Sequence, residues 1–284
     1  MPPSEFVLTL SCPDRPGIVA AVTTRLAAIG GNIAESNQFW DRETGAFFMR
    51  IAFTASKDAD TGSIATALAE VKKRFGMTLE VADQTRTRRF VILVSRFDHA
   101  LEHLLYQIKV GWLVAEVAAI VSNHDDARQA AELRGIPFHY LPVTARTKTA
   151  QEKKLRALVE GTGAELVVLA RYMQVLSDKF ATELYGRAIN IHHSFLPSFG
   201  GARPYHQAHE RGVKLIGATA HYVTAALDEG PIIEQETARV THAMSAADLI
   251  AAGRDIESRV LSRAVKLHLE RRVMLNGRKT VVFE

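Results

Sequence analysis

Residues 188–208 read AINIHHSFLPSFGGARPYHQA, an apolar start that gives way to Asn190, His192, His193 and Ser194, then to Pro197 and the pair Gly200 and Gly201. Side chains along a strand alternate between faces, so Asn190 and His192 project together while Ile189 and Ile191 face the other way. An amide and an imidazole on one face aim two hydrogen-bond donors at one point. In open α/β sheets that point lies outside the carboxyl ends of the strands, where ligands bind. Pro197 and the glycine pair then forbid regular structure and let backbone approach a ligand closely.

The neighbouring sequence sets the fold class. Upstream, FVILVS (90–95), EVAAIVS (116–122) and ELVVLA (165–170) are near-continuous apolar runs separated by helical segments. Such runs suit strands buried on both faces of a parallel sheet. Asp98 precedes one helix, Thr149 with Glu152 forms a capping box for the next, and Gly135 follows the end of another. A long helix is expected from near Ser245, where Asp248 completes a second box and Ile256, Val260, Ala264 and Leu267 recur at helical spacing. No G-x-G-x-x-G follows FVILVS and there is no P-loop, the turn reading SRFDHA instead.

The first 82 residues have a different rhythm. EFVLTLSC is strand-like, PGIVAAVTTRLAAIG is a helix with Pro at its start and Gly30 and Gly31 at its end, and NIAESNQFW with GAFFMRIAF forms a hairpin about Asp41 to Gly45. A second helix runs from Thr61 to Phe75, and MTLEVA gives a last strand. The order is βαββαβ, the split arrangement of ferredoxin-like units. Residues 83–89, DQTRTRR, lack apolar periodicity and read as a linker. The expectation is an α/β protein of two domains, an α+β ferredoxin-like unit over 1–84 and an open, mostly parallel, doubly wound sheet over 85–284.

Composition agrees with two soluble units and excludes several classes. At 284 residues the chain exceeds what one core usually serves. Net charge is only +4, and the densest basic group, TRTRR at 85–89, is short, so nucleic acid is not indicated. Cys12 is the single cysteine and cannot form an internal disulfide. The sequence shows no charged-then-apolar leader, no long apolar run and no N-x-S/T acceptor, which predicts a cytoplasmic, membrane-free protein.

The strand end admits more than one chemistry. One alternative is that His192 and His193 are merely satisfied polar residues at a strand end, a reading that the Asn-x-His pair facing a Gly-rich loop disfavours. His192, His193, His206, His209 and His221 cluster in sequence, but without the H-x-E, H-E-x-x-H or carboxylate pattern of a metal site. Ser194 lacks the G-x-S-x-G elbow of a nucleophile. A second polar focus is HYVTAALDEGPII (221–233), where Asp228 sits in a turn fixed by Gly230 and Pro231. If Asp228 lies beside His192, the three side chains suit carbonyl chemistry. Asn190 and His192 would donate to the oxyanion that forms when a nucleophile adds to an acyl carbon, each donor worth about 3 to 4 kcal/mol. Asp228 would hold His192, and would orient the attacking water or relay its proton.

INIHHSFLP followed at 227–233 by LDEGPII resembles the folate-dependent formyltransferase family, whose pattern is N-x-H-P-S-x-L-P with a distal L-D-x-G-P. The resemblance implies catalytic roles for Asn190, His192 and Asp228. LARYMQVLS (169–177) is similar to the family's folate-pocket segment, so that Met173, Gln174, Val175 and Leu176 would meet the pterin ring, with Val223, Thr224 and Ala225 closing over it and Gly201 contributing from the glycine loop. Two departures stand out. His193 replaces the family's Pro, and Ser95 to Ala100 replace the Gly-rich loop with which amine-formylating members cradle a substrate phosphate.

The N-terminal unit, with CPDRPGIVA entering its first helix and GGNIAESNQ leaving it, resembles an ACT domain. That combination looks like the formyltetrahydrofolate deformylases. The resemblance implies hydrolysis of 10-formyltetrahydrofolate to tetrahydrofolate and formate, feeding purine biosynthesis and balancing the one-carbon folate pool. It implies no metal and no bound cofactor, folate being the substrate. It also implies an amino-acid effector site, with glycine and methionine as opposed effectors, around Asp14, Arg15, Gly17, Gly31 and Asn32, and a homo-oligomer through paired ACT modules. Rival expectations are a formyl transferase acting on an amine, whose tRNA-acting form would add a basic domain after residue 272, and an amino-acid sensor that binds folate without turnover.

Overall fold

The computed structural model describes residues 4–196 and 204–284. Pro197, Gly200 and Gly201 lie outside the described residues. By internal contact the chain divides into two units: residues up to 87 together with 270–274 and 281–284, and residues 88–269 together with 275–280. The expected division at 84/85 gave the C-terminal pieces to the second domain, whereas their packing is with the first.

In the first unit the order is β1 (Ser4–Pro13), α1 (Ile18–Ala28), β2 (Asn32–Asp41), β3 (Ala46–Ala55), α2 (Thr61–Ala67), α3 (Ala69–Phe75) and β4 (Thr78–Asp83). The strands form an antiparallel sheet in the order β2-β3-β1-β4. Period-two burial of Phe6, Leu8 and Leu10 meets the i, i+4, i+8 stripe Ile18, Val22 and Leu26, which makes a core beneath one sheet face. The helix expected over 61–75 is broken at Leu68, although its apolar stripe Ile64, Leu68, Val71 and Phe75 continues across the break. Residues 83–89 are not a seven-residue linker. β4 reaches Asp83 and β5 (Arg88–Val94) begins at Arg88, because Arg88 ion-pairs with Glu165 at 2.9 Å and Arg89 with Glu116 at 3.0 Å.

The second unit continues with α4 (His99–Lys109), β6 (Ala115–Ser122), α5 (Arg128–Glu132), β7 (Phe138–Tyr140), α6 (Lys148–Thr162), β8 (Leu166–Leu169), α7 (Asp178–Glu183), β9 (Ala188–His192), α8 (Pro204–Glu210), β10 (Leu215–Tyr222), β11 (Ile232–Arg239) and α9 (Ala246–Leu269). The chain then makes a short hairpin of β12 (Val273–Asn276) and β13 (Lys279–Val282). Seven strands form one sheet in the order β11-β10-β9-β8-β5-β6-β7. β5 to β9 pair in parallel, and β10 and β11 add antiparallel strands at one edge. The apolar runs of the sequence become the fully buried strands, Val91, Ile92, Leu93, Val167 and Val168 among them. The chain winds one way through β6 and β7 and the other way through β8 and β9, so its direction reverses between β5 and β8.

Two details aim the site. A bulge between Ala220 and His221 shifts β10 against β11, placing an extra residue in β11. The capping box foreseen for Thr149 and Glu152 does not form, since α6 starts two residues earlier behind Thr147. Instead the Glu152 carboxylate accepts from the Ser177 backbone N–H at 2.7 Å and from the Ser177 hydroxyl, pinning the segment that runs from β8 to α7. The second foreseen box is present. Ser245 N–H donates to Asp248 at 2.8 Å and Asp248 N–H to Ser245 Oγ at 3.2 Å.

Candidate active site

β9 delivers Asn190 and His192 to the carboxyl end of the sheet, while the alternating Ile189 and Ile191 are buried. β10 lies antiparallel beside it in a register that sets His221 opposite Asn190. The chain then turns back through residues 223–231 into β11. Gly230 makes that return possible, because a Cβ there would stand 1.7 Å from the Tyr222 carbonyl oxygen. Asp228, held at φ 56, occupies the left-handed region that aspartate tolerates better than most residues and so points back over β9.

The three expected side chains meet. Asp228 Oδ2 lies 3.2 Å from His192 Nδ1, and Asp228 Oδ1 lies 3.4 Å from the Asn190 amide nitrogen. A fourth residue joins them that the sequence reading had placed only in a run of histidines. His221 Nε2 is 3.2 Å from the Asn190 amide nitrogen and 3.6 Å from Asp228 Oδ1. Its Nδ1 stands 2.9 Å from the Tyr222 carbonyl, so Nδ1–H donates there and Nε2 is left to accept from Asn190. The signal for His221 was cross-strand register, which is invisible until β9 and β10 are paired. The hydrogen bond with His192 holds the Asp228 carboxyl well below the usual carboxylate range, against the opposing effect of burial. Asp228 is therefore a fixed negative charge at the pocket floor.

These residues line a cavity of about 370 Å³, within the roughly 300 to 1,000 Å³ of small-molecule pockets. Met173, Gln174, Val175 and Leu176 form one wall of the same cavity and Val223, Thr224 and Ala225 another. Met173 is fixed by its backbone N–H, which donates to Ser95 Oγ at 3.0 Å, and Leu176 by the Glu152 clasp on the next residue. Gly201 lies outside the described residues. Arg171 and His193 also line the cavity and were not foreseen as site residues. Burial, with the Arg171 charge adding to it, pushes the His193 ring down to about 4. Ser194 uses its carbonyl to accept from the buried Thr219 hydroxyl at 3.0 Å. Among the described residues, no three His, Cys, Asp or Glu side chains are arranged as metal ligands.

In the first unit, the expected effector residues share the entrance to and exit from α1. Gly17 caps the helix at φ 92, and Asp14 donates its backbone N–H to the Gly45 carbonyl at 2.9 Å. Arg15 donates to the Arg74 carbonyl at 2.8 Å and lies over the Phe75 ring. Gly31 leaves no room for a Cβ, which would meet the Leu26 carbonyl oxygen at 2.9 Å, and Asn32 begins β2.

Comparison with known proteins places both units. Residues 88–265 match the Formyl transferase family and residues 4–82 match the ACT domain. The formyltetrahydrofolate deformylase of Corynebacterium sp. (strain P-1) is 49% identical over 279 residues, covering 98% of each chain. The chain belongs to the formyltetrahydrofolate deformylase family. The crystal structure of the Burkholderia mallei member of that family superposes with a TM-score of 0.95 at 48% identity, covering 99% of this chain and 100% of the other. Glycinamide ribonucleotide transformylase 1 from Symbiobacterium toebii shares the sheet at a TM-score of 0.67 and 31% identity, covering 71% of this chain and 97% of the other. The family is therefore an enzyme family in which a formyltransferase-type sheet follows an ACT domain, as the strand-end motif and the βαββαβ order had implied. No helix among the described residues is long and apolar enough to cross a membrane.

Proposed function

We propose that the chain hydrolyses 10-formyltetrahydrofolate to tetrahydrofolate and formate at the Asn190, His192, Asp228 centre. The observation that supports this best is the Asp228 carboxylate reaching His192 and Asn190 at once inside a cavity walled by Met173 to Leu176 and Val223 to Ala225. The pterin lies between those walls, and the formyl oxygen faces Asn190 and His192. Asn190 already donates to His221, and its other, weaker contact, at 3.4 Å to Asp228, is the one the formyl oxygen replaces.

The water oxygen forms a bond to the formyl carbon, and Asn190 and His192 stabilise the oxyanion that results. Asp228, fixed as a carboxylate, orients His192 and the water and passes on the proton the water loses. The bond from carbon to the folate nitrogen then breaks, its electron pair stays on nitrogen, and nitrogen takes that proton. Formic acid leaves and ionises to formate. No bound cofactor or metal enters the scheme.

The same reading assigns formate to purine biosynthesis and the activity to balance of the one-carbon folate pool, in the cytoplasm. It assigns glycine and methionine to the Asp14 to Gly17 and Gly31 to Asn32 corner, in a homo-oligomer paired through its ACT units. The test is to incubate the chain with formylated folate and no amine and to measure formate. Steady release supports the hydrolase. Formyl transfer only when an amine is added supports a transferase, and no turnover with retained folate binding supports a sensor.

A further inference from the structure

The reversal of winding between β5 and β8 opens a crevice outside the carboxyl ends of those strands, the place where open α/β sheets receive a ligand. In this chain the crevice is filled by the protein itself. Glu257, on α9 and only 1% exposed, is met there by residues from three other elements. His99, at the start of α4, brings Nε2 to 2.9 Å from Oε2, and the Tyr205 hydroxyl of α8 donates to Oε1 at 2.7 Å. Arg171, just past β8 and held at φ 62, brings Nε to 3.4 Å from Oε2, a charge contact without hydrogen-bond alignment. Phe97, in the β5 to α4 turn, lies under the guanidinium groups of Arg171 and Arg254 at 5.8 and 5.4 Å.

A buried carboxylate is costly unless it is paired, and an apolar filling of equal volume is often as stable. The cluster therefore does not earn its place through stability alone. Burial raises the Glu257 carboxyl, but the hydrogen bond from His99 and the Arg171 charge outweigh it, so the group stays ionised. Burial, and then that carboxylate, pushes the Tyr205 hydroxyl up and keeps it a donor.

The cluster also touches the catalytic pocket. Arg171 and His193 line the cavity that holds His192, and the His193 ring lies 4.8 Å from the His192 ring. His193 feels the charges of both Arg171 and Glu257. Arg171 and His193 thus belong both to the cavity wall and to the surroundings of Glu257.

We propose that the Glu257 cluster is the specificity determinant of this site: it occupies the acceptor side of the formyl carbon, so that an amine-bearing second substrate is shut out and water is the nucleophile that arrives. The inference rests on the hydrolase reading. Its chemistry is a competition. With water, a carbon–oxygen bond replaces the carbon–nitrogen bond, and the folate nitrogen gains the proton that water loses. With a small amine such as hydroxylamine, a new carbon–nitrogen bond forms, the folate nitrogen gains the proton the amine loses, and the product is formohydroxamate in place of formate.

The experiment measures formate and formohydroxamate together, in the full-length protein with formylated folate and a fixed excess of hydroxylamine. The Arg171→Gly/Glu257→Ala double variant removes both charges and empties the crevice. The ratio of hydroxamate to formate should rise about tenfold or more over the unaltered chain. His99→Ala keeps the Arg171–Glu257 ion pair and widens the crevice from one side, so it reads the same ratio with a smaller rise if the double variant does not fold. An unchanged ratio in a folded variant, whatever happens to kcat, overturns the proposal. Failure of the unaltered chain to release formate without amine would instead overturn the hydrolase reading.

Discussion

The turn that carries Asp228 and the turn that carries Asp14 are both glycine-flanked corners following a strand, yet they are built on opposite principles. At Asp228 the left-handed backbone falls on the aspartate itself, at φ 56, and its carboxylate meets two imidazoles and an amide. At Asp14 the left-handed position falls on Gly17, at φ 92, and the aspartate side chain faces solvent while its backbone N–H closes the corner. A turn that must aim a functional group accepts strain on the residue bearing it. A turn closed through its backbone puts the strain on glycine, where it costs least.

Substitutions can break or sharpen that contrast. The largest effect is expected for Asp228→Asn, which keeps a residue tolerant of positive φ and removes the charge. Formate release should fall by about 10³-fold while folate binding, measured by fluorescence titration, stays within severalfold. Near-normal turnover would take Asp228 out of the mechanism. Next come Asn190→Ala and His192→Ala, each expected to lower kcat/KM about a hundredfold, because each deletes one oxyanion donor. Loss in KM alone would make them binding residues.

A smaller effect follows from His193. The folded ring resists protonation until about pH 4, whereas the unfolded ring accepts a proton near 6.5. Between those values the unfolded chain binds more protons, so stability falls as pH drops through that window, by up to about 3 kcal/mol. Urea midpoints from pH 7 to 4 should therefore decline less steeply in His193→Gln, and parallel curves would show that His193 is not the group responsible. Smallest is Gly17→Ala, which should cost about 1 to 2 kcal/mol through positive φ and leave formate release without effectors unchanged. A drop in hydrolysis there would erase the distinction between the two corners.

The sequence carried the parts of this picture that depend on local rhythm. Continuous apolar runs became β5, β6 and β8, the alternation of Ile189, Asn190, Ile191 and His192 became the polar edge of β9, and the Ser245 and Asp248 box starts α9. What it hid depends on pairing between distant segments. His221 acquires meaning only opposite Asn190, and Glu257 reads as an ordinary helical charge until Arg171, His99 and Tyr205 converge on it. Glu152 was misread for the same reason, since a carboxylate at the right spacing for its own helix found Ser177 across the fold. The return of residues 270–274 and 281–284 to the N-terminal unit has the same origin. Arg272 reaches Glu35 at 3.0 Å, a partner no window of local sequence would show.

The bulge beside His221 gives chain length a chemical meaning. β11 holds one residue beyond what the ladder needs, so excising a single amino acid opposite the Ala220–His221 step would let the two edge strands zip up in uniform spacing. Every reactive side chain would survive such a deletion, and the imidazole would nonetheless be turned away from its amide partner.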